Sequence, residues 1–228
     1  MTGMIEKSLN FIEYFIRMCS RLSEGMLVSV EIFFCTLIFS LLLGLVVAFG
    51  RMSKHVIIRF PVKVFISIMR GTPLMLQLLV IYFGPYFMFG MKISPGYKMT
   101  AVLVGFIINY AAYFAEIYRA GIEAIPAGQY EAAKLLGYNK LQTFLYIILP
   151  QVIKHIVPPV ANETITLVKD TSLAYTLSVL EMFSLTKQIA AAETSMMPFV
   201  VAGIFYYIFN LAVAVTFEKL EKKLAYYR

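Results

Sequence analysis

Long apolar stretches separated by short polar connections dominate this chain. A transmembrane helix needs about 20 predominantly apolar residues to cross roughly 30 Å of hydrocarbon, and five stretches are that long. The pattern therefore predicts an all-α membrane protein with five transmembrane helices, forming one transmembrane domain over residues 26–228. The predicted spans are residues 26–50, 60–88, 99–118, 156–180 and 197–217.

The composition points to a membrane rather than to a large soluble core. Of the 228 residues, 60% are hydrophobic and 14% are charged, whereas a soluble domain averages about 45–50% apolar and about 25% charged residues. The net charge of +7 is attributed to basic cytoplasmic loops rather than to a nucleic-acid surface. We therefore expect no nucleic-acid partner.

Residues 1–25 carry apolar side chains at helical spacing, with charged residues between them. This pattern predicts an amphipathic helix lying on the outer membrane surface. The alternative is a continuation of the first span, which Arg17, Arg21 and Glu24 disfavour because charged groups are costly in hydrocarbon. The order of elements found in a cleavable signal peptide does not occur here. The apolar positions are Ile5, Leu9, Ile12, Phe15, Ile16 and Cys19.

The basic residues are unevenly divided between the two sides of the predicted spans. If the N-terminus lies outside, thirteen of the 20 Lys and Arg residues fall inside, six fall outside, and Lys169 lies within a span. Cytoplasmic loops are enriched in Lys and Arg. We therefore expect a multi-pass protein of the cell membrane, with its N-terminus outside and with its C-terminus and the loop 120–150 in the cytoplasm.

Start and stop signals mark a short helix in this loop, from about Pro126 to Leu136. Pro126 suits a first helical position, where its missing N–H is not needed, and Gly137 favours the left-handed conformation that ends a helix. A second short helix is predicted from about Leu141, ending by Pro150. The small and polar residues that suit the first helix and its dipole are Gln129, Glu131, Ala132 and Ala133.

Four segments of the chain resemble one family of transporters. Glu131-Ala132-Ala133, then Gly137, then Leu149-Pro150 follow the order of the EAA loop of type I importer permeases of the ABC transporters. Three further segments are similar to the polar amino acid branch of these permeases, which serves histidine, glutamine, arginine and opines. The resemblance extends from about Val28 to the C-terminus. The three segments are RGTPLMLQ (70–77), NYAAYFAEIYRAGIEAIPAGQYE (109–131) and NETITLVKDTSLAYTLSV (162–179).

The resemblance implies the type I importer permease fold, in which the EAA loop is a cytoplasmic coupling helix that docks on a separate ATPase. It implies the membrane subunit of an ATP-driven amino acid importer, which works as a dimer of identical or paralogous permeases and receives its cargo from an extracytoplasmic binding protein. The chain carries no G-x-x-x-x-G-K-[ST] phosphate loop, so we expect no cofactor on it and ATP with Mg²⁺ on the partner. The alternative for the loop is a solvated connector. The expected coupling residues are Pro126, Gln129, Glu131, Ala132, Ala133 and Gly137.

Polar side chains inside spans are costly and mark candidate functional sites, and the fourth span carries most of them. Glu163 and Asp170 are seven residues apart, so both acids lie on nearly one helix face, about 10 Å apart along the axis. An internal ion pair with Lys169 is the alternative. One Lys cannot neutralise two acids, and the remaining negative charge favours a cationic ligand. Asn162 and Thr166 lie nearby on the same surface.

The second span is interrupted at Arg70-Gly71-Thr72-Pro73. Pro73 removes a backbone donor, so Thr72 is predicted to cap a new half-helix that begins at Pro73. Half-helix N-termini present free N–H groups to anionic substrate groups in transporters. The alternative is a packing kink without a ligand, and Arg70 lies either at the inner mouth or in an internal pair. The candidate binding residues are Gly71, Thr72, Leu76 and Gln77.

Together these features predict a clamp for a zwitterion. Backbone donors after Thr72 bind the α-carboxylate, Asp170 or Glu163 binds the α-amino group, and the other acid binds a basic side chain. The clamp favours arginine, lysine or histidine over glutamate. Glu31 and Glu116, near the interfaces, are weaker candidates. The sequence leaves open which amino acid is carried and whether the permease or its binding protein selects it.

Two other function classes fit the sequence less well. An ion-coupled secondary amino acid transporter would use Glu163 and Asp170 as proton or sodium sites, but such carriers usually show two repeated halves. A membrane enzyme would need clustered reactive groups, whereas His55 and His155 are isolated and the two cysteines match no metal spacing. We therefore expect no catalytic residue and no metal site.

Overall fold

The computed structural model describes residues 2–94 and 96–224, with side chains from Ile12 onward. This part of the chain is helical almost throughout. A π-helical segment, Thr143–Ile148, leads into the seventh helix, and a 3₁₀ segment, Thr171–Leu177, continues that helix. The α-helices are α1 (Thr2–Arg51), α2 (Val56–Gly71), α3 (Leu74–Phe89), α4 (Tyr97–Glu123), α5 (Ala127–Leu135), α6 (Lys140–Gln142), α7 (Leu149–Asp170), α8 (Met182–Glu193) and α9 (Met197–Leu224).

Within the described residues, five helical units can cross a membrane by length and composition. Four are long apolar helices, namely Ile12–Arg51 of α1, the whole of α4, the run Lys140–Leu177 that contains α7, and the whole of α9. The fifth is the pair α2 and α3, which passes the test only as a unit bent by 112°. The predicted all-α class with five transmembrane segments is therefore confirmed, with the bent pair counted as one.

Helix α4 lies at the centre of the core. It runs along α1 and also packs against α3 and α7, and its aromatic residues Phe106, Tyr110 and Phe114 are buried. Gly44 on α1 permits the close approach, because a Cβ atom there would lie 2.9 Å from the Cβ of Phe114. The side chains of α4 are thus positioned by packing against α1, α3 and α7.

The N-terminal segment does not form the separate surface helix expected for residues 1–25. Helix α1 continues without a break from Thr2 to Arg51. Part of its first half packs against protein, since Met18 and Leu22 are buried in one cluster with Met182 of α8 and Val201 of α9. That packing covers Phe15 and Cys19 of the predicted stripe but leaves Ile12 and Ile16 exposed. The expected boundary at residue 25 has no counterpart in the described helix. The first positions of the stripe, Ile5 and Leu9, have side chains outside the described part.

Gly25 sets the distance between α1 and α8. A Cβ atom at this position would lie 2.9 Å from the Cα and 3.0 Å from the amide nitrogen of Met182, which are backbone atoms that cannot rotate away. We expect Gly25→Ala to destabilise the protein by about 1–3 kcal/mol through overpacking. Its thermal midpoint in detergent should fall by roughly 2–12 °C, because 1 kcal/mol shifts the midpoint of a chain of this length by about 2–4 °C. The matched control is Gly203→Ala in α9, where no atom lies within 4 Å of the added Cβ; equal midpoints for the two variants would contradict the prediction.

Two hydrogen-bonded caps order the polar loop. Helix α5 ends in a Schellman motif, in which Gly137 is left-handed with a φ of 82° and the Tyr138 amide donates to the Ala133 carbonyl at 3.1 Å. Asn139 then begins the next helical turn with a capping box to Gln142. The predicted first loop helix, and the predicted role of Gly137 in ending it, are confirmed.

The prediction that the second loop helix ends by Pro150 is wrong. The chain stays helical from Lys140 to Leu177, because the π-helical segment Thr143–Ile148 passes directly into α7, of which Pro150 is the second residue. Helix α7 also continues through Pro158 and Pro159. The predicted fourth span, 156–180, therefore begins inside a longer helix.

A buried acid begins helix α8. Glu181 is fully buried, and its carboxylate accepts hydrogen bonds from the amides of Phe183 and Ser184, each at 2.7 Å. The Tyr206 hydroxyl on α9 donates to the same carboxylate at 3.3 Å. On α1, Ser29 accepts from the amide that follows Glu181, at 3.3 Å. The Glu181 carboxylate thus links the start of α8 to α9, and the Ser29 hydroxyl links the same helix start to α1.

Candidate functional site

A polar cluster holds the bend between α2 and α3. The side-chain amide of Gln77 donates to the Met69 carbonyl at 3.0 Å, to the Thr72 carbonyl at 3.1 Å and to the Thr72 hydroxyl at 2.8 Å. Asn109 of α4 donates to the Met69 carbonyl and to the Gln77 side-chain oxygen, both at 3.0 Å. These bonds satisfy carbonyl groups that lose their helical partners at the bend. The bend is therefore stabilised by side-chain hydrogen bonds, two of which come from Asn109 of the central helix α4.

Thr72 does not cap the second half-helix as the sequence predicts. Its backbone is extended, with φ −123° and ψ 148°, as steric conflict with the following proline favours. The N-cap of α3 is Pro73, the helix begins at Leu74, and the Thr72 hydroxyl donates backwards to the Ile68 carbonyl at 2.8 Å. The cap prediction is wrong because the hydroxyl is already used by α2.

The remaining predicted residues of the break surround the start of α3. Gln77 is buried, so its side chain serves the bend, whereas Gly71 and Leu76 are exposed. The first amides of α3, those of Leu74 and Met75, have no partner within their own helix by geometry. They are the donors that a carboxylate would meet here.

The two acids of α7 have different surroundings. Asp170 accepts a hydrogen bond from the Tyr110 hydroxyl of α4 at 2.8 Å, while Glu163 lines a cavity; both are partly buried. Among residues with described side chains, neither acid lies within 4 Å of the Lys169 ammonium. The internal ion pair considered as an alternative is thus absent from this structure. Asn162 and Thr166 are exposed on the same face, and the Thr166 hydroxyl donates to the Asn162 carbonyl at 3.0 Å.

A cavity of about 410 Å³ lies between α2, α4 and α7, on the side of the bend that faces the α4–α5 loop. Arg70 and Glu163 both line it, and the Arg70 guanidinium lies over the Tyr113 ring at 5.2 Å from its centroid. The wall formed by α7 runs from Glu163 to His155, a distance of about 12 Å for eight helical residues. The sequence located Glu163 but did not predict that Arg70 shares its cavity.

An ion cluster ties α1 to the loop-side end of α4. Glu116 pairs with Arg119 at 2.8 Å and with Arg51 of α1 at 3.3 Å, and Arg119 also pairs with Glu123. Glu116 was a weak candidate for binding substrate. Its charge is already balanced by two guanidinium groups, so it contributes to packing here.

The predicted coupling residues lie on one short helix outside the candidate spans. Pro126 is the N-cap of α5, Ala133 is buried, and Gln129, Glu131 and Ala132 are exposed. The chain also exposes two large apolar residues at the end of this helix, Leu135 with 89% and Leu136 with 75% of their surfaces.

Sequence comparison identifies the family. The sequence model of the binding-protein-dependent transport system inner membrane components matches residues 40–226. The chain belongs to this family. The permease is accordingly a transport subunit rather than an enzyme, and it is a multi-pass protein of the inner membrane. Membership also removes the ion-coupled carrier alternative, because importers of this family work with an ATPase and a binding protein.

The names of similar curated proteins state different transported amino acids. A probable amino-acid ABC transporter permease, YckA of Bacillus subtilis (strain 168), is 38% identical over 206 residues, covering 90% of this chain and 89% of the relative. An arginine transport system permease, ArtQ of the same organism, is 35% identical and covers 88% and 91%. A putative glutamine transport system permease, GlnP of Rickettsia bellii (strain RML369-C), is 34% identical and covers 88% and 91%.

A solved structure shares the fold. The crystal structure of an amino acid ABC transporter with histidines has a TM-score of 0.83 and 30% sequence identity, covering 94% of this chain and 97% of that chain. The type I importer permease fold and the identification as an amino acid ABC transporter permease are therefore confirmed.

Proposed function

We propose that this permease imports basic amino acids such as arginine, lysine or histidine. The observation that carries the proposal is the pair of acids on α7: Glu163 and Asp170 are both partly exposed and neither is neutralised by Lys169. A charge-assisted hydrogen bond contributes about 1.5–3 kcal/mol, so two such acids favour a ligand with two cationic groups. The arginine relative and the structure with histidines support a basic cargo, and the glutamine relative does not.

In the proposed arrangement the cargo lies between α3, α4 and α7. The first amides of α3, after Thr72, take the α-carboxylate. Asp170 or Glu163 takes the α-amino group, and the other acid takes the basic side chain. Tyr110 orients Asp170 through its hydrogen bond of 2.8 Å. Four exposed residues beside these groups border the cargo, namely Gly71, Leu76, Asn162 and Thr166.

A neutral amino acid such as glutamine is the second candidate. The observation in its favour is that Arg70 lines the same cavity as Glu163. Its guanidinium offsets part of the negative charge on which selectivity for cations depends. The two candidates therefore differ in whether the acids of α7 bind a basic side chain or only the α-amino group.

The same proposal includes the orientation of the permease and its protein partners. Its N-terminus lies outside and α5 lies in the cytoplasm, where the exposed Leu135 and Leu136 contact an ATPase that holds ATP and Mg²⁺. Pro126, Gln129 and Glu131 lie on that contact helix, and Gly137 fixes its end. A second permease subunit, identical or paralogous, completes the translocation path, and an extracytoplasmic amino-acid-binding protein delivers the cargo.

Uptake by the complex reconstituted in vesicles with its ATPase and binding protein tests the cargo. We expect Glu163→Gln to reduce arginine uptake by roughly tenfold or more, because one charge-assisted hydrogen bond is lost. If Glu163 is the acid that binds the basic side chain, glutamine uptake should change by less than about threefold; if it binds the α-amino group, the same pattern is expected for Asp170→Asn instead. The matched control is Glu24→Gln, at an exposed position of α1, which should leave both rates unchanged.

Two outcomes would decide against a basic cargo. Unchanged arginine uptake by the Glu163→Gln variant would remove Glu163 from the binding site. Equal losses for arginine and glutamine in both Glu163→Gln and Asp170→Asn would favour the neutral candidate, because neither acid would then bind a basic side chain.

A further inference from the structure

A groove of about 640 Å³ lies beside the loop-side end of α7. Its walls come from α5, the π-helical segment and the first turns of α7, and none of the described residues that line it is acidic. Small-molecule sites commonly enclose about 300–1,000 Å³, so the groove has room for a ligand. The lining residues include Gln129, Tyr146, Ile147, Gln151, Lys154 and His155.

Basic and hydrogen-bonding groups share one end of this groove. Lys154 is half-buried, and no carboxylate oxygen of a described side chain lies within 4 Å of its ammonium group. The Gln151 side chain donates to the Ile147 carbonyl at 2.7 Å, which holds it against the groove wall. His155, the next residue after Lys154, is exposed. The groove therefore offers a cation and hydrogen-bonding groups to an anion, and no described carboxylate in its lining repels that anion.

Helix length places Lys154 at the edge of the hydrocarbon layer. The helical run Lys140–Leu177 has 38 residues, which is about 57 Å, whereas the hydrocarbon layer is about 30 Å thick and is crossed by about 20 helical residues. Counted back from Leu177, those residues begin at Pro158. Lys154 then lies about 6 Å outside the hydrocarbon, within a headgroup layer that is about 5–8 Å deep on each side.

Apolar surface continues from this end of the groove toward the hydrocarbon. Ile153, beside Lys154, is exposed, and so is Pro158 one turn further along α7. A free phosphate ion would contact only the basic end, whereas an amphiphile would use both surfaces. Basic pockets between spans on the cytoplasmic side of a membrane bind anionic lipid headgroups. The combination favours a phospholipid over a soluble anion.

We propose that this groove binds the phosphate headgroup of an anionic phospholipid, with Lys154 as its cationic contact and Gln151 as a hydrogen-bonding neighbour. The acyl chains follow the exposed surface of α7 at Ile153 and Pro158. Because α5 is cytoplasmic in the orientation proposed above, the lipid belongs to the inner leaflet. Gln129 of α5 lines the same groove, so the headgroup also contacts the loop that carries the predicted coupling residues.

Native mass spectrometry of the purified permease–ATPase complex, delipidated in detergent, tests the site. The complex is titrated with phosphatidylglycerol or with phosphatidylcholine of the same acyl chains, and the affinity of the most tightly bound lipid is compared. Wild type is expected to prefer phosphatidylglycerol by at least about fivefold, the equivalent of about 1 kcal/mol for one Lys near a headgroup. Lys154→Gln should lose this preference, and Lys154→Arg, which keeps the charge, should retain it.

The matched control is Lys140→Gln. It removes the same charge from an exposed position that lies about 20 Å further from the hydrocarbon along the same helical run. We expect this variant to keep the wild-type preference for phosphatidylglycerol. An equal loss of preference in Lys140→Gln and Lys154→Gln would overturn the site, because the net charge of the surface would then attract the lipid.

Two further results would overturn the proposal. Equal affinities of wild type for the two lipids would mean that the groove holds no anionic headgroup, as is expected if the ATPase or a second permease subunit covers it. Displacement of phosphatidylglycerol by an equal concentration of soluble glycerol phosphate would mean that the groove binds a free phosphate instead of a lipid. Lipid binding in detergent involves neither cargo nor uptake, so this proposal and the basic cargo fail separately.

Discussion

The double variant Leu135→Asp with Leu136→Asp is expected to lose its ATPase partner. These side chains expose 89% and 75% of their surfaces at the end of α5, outside the candidate spans. Buried apolar anchors at the centre of an interface each contribute about 2 kcal/mol or more when they are hot spots, which corresponds to roughly a thirtyfold change in affinity per residue. Co-purification of the ATPase and ATP-dependent uptake should both fall to background.

The control for this variant matches the change in charge. Lys134→Asp lies in the same turn and, like the double variant, lowers the net charge by two, but it removes no exposed apolar side chain. We expect it to retain most of the bound ATPase. A similar loss in both variants would mean that charge, rather than apolar contact, determines docking. Retention of the ATPase by the double variant would place the interface elsewhere.

Replacement of Glu181 is expected to have the largest effect on stability. The carboxylate is fully buried and accepts two amide hydrogen bonds at the start of α8 and one from Tyr206. Glu181→Ala leaves these donors without a partner, and each buried unsatisfied group costs about 1–3 kcal/mol. The thermal midpoint of the purified complex should therefore fall further than for Gly25→Ala. An equal or smaller shift would show that water replaces the carboxylate.

The ionisation of Glu181 is expected to make the stability of the protein depend on pH. Burial raises the pKa of Glu181 from 4.5 to about 7, so between these values the folded state binds a proton that the unfolded state does not. The contribution to the free energy of unfolding therefore declines as pH rises from about 4.5 to about 7 and is constant above that. A shift of this size corresponds to about 3 kcal/mol.

Glu181→Gln isolates this contribution, because it is neutral at every pH and nearly the same shape. Between pH 5 and pH 8 the midpoint of wild type should fall by roughly 5–10 °C more than that of the variant. Parallel curves for the two proteins would mean that Glu181 does not titrate in this range. An increase in wild-type stability with pH would reverse the sign and contradict the raised pKa.

Local signals in the sequence predicted the features that depend on a few neighbouring residues. Gly137 ends α5 because only a left-handed residue completes that hydrogen-bond pattern, and Pro73 breaks the second span because it lacks an N–H and restricts the residue before it. The seven-residue spacing of Glu163 and Asp170 placed both acids on one face of α7. Each of these depends on backbone chemistry within two turns.

Features that depend on distant residues were not predictable in the same way. The Gln77 side chain is taken up by the bend because Asn109, 32 residues later, meets it at 3.0 Å, and no spacing rule specifies that contact. The continuity of α1 depends on the burial of Met18 and Leu22 against α8 and α9. An apolar stripe has the same appearance whether lipid or protein covers it, so the sequence favoured a surface helix.

Helix α1 connects the α8 contact to the ion cluster at the loop-side end of α4. Its 50 residues extend about 75 Å, more than twice the thickness of the hydrocarbon layer. One part contacts α8 through Gly25 and Ser29, and its last residue, Arg51, pairs with Glu116 of α4. A rod that pivots near its middle moves its two ends in opposite directions. The contacts of Gly25 and Ser29 with α8 lie near the middle of this rod, about 33–39 Å from Arg51. Tilting of α1 about α8 would therefore leave α8 in place and displace the Arg51–Glu116 pair the most.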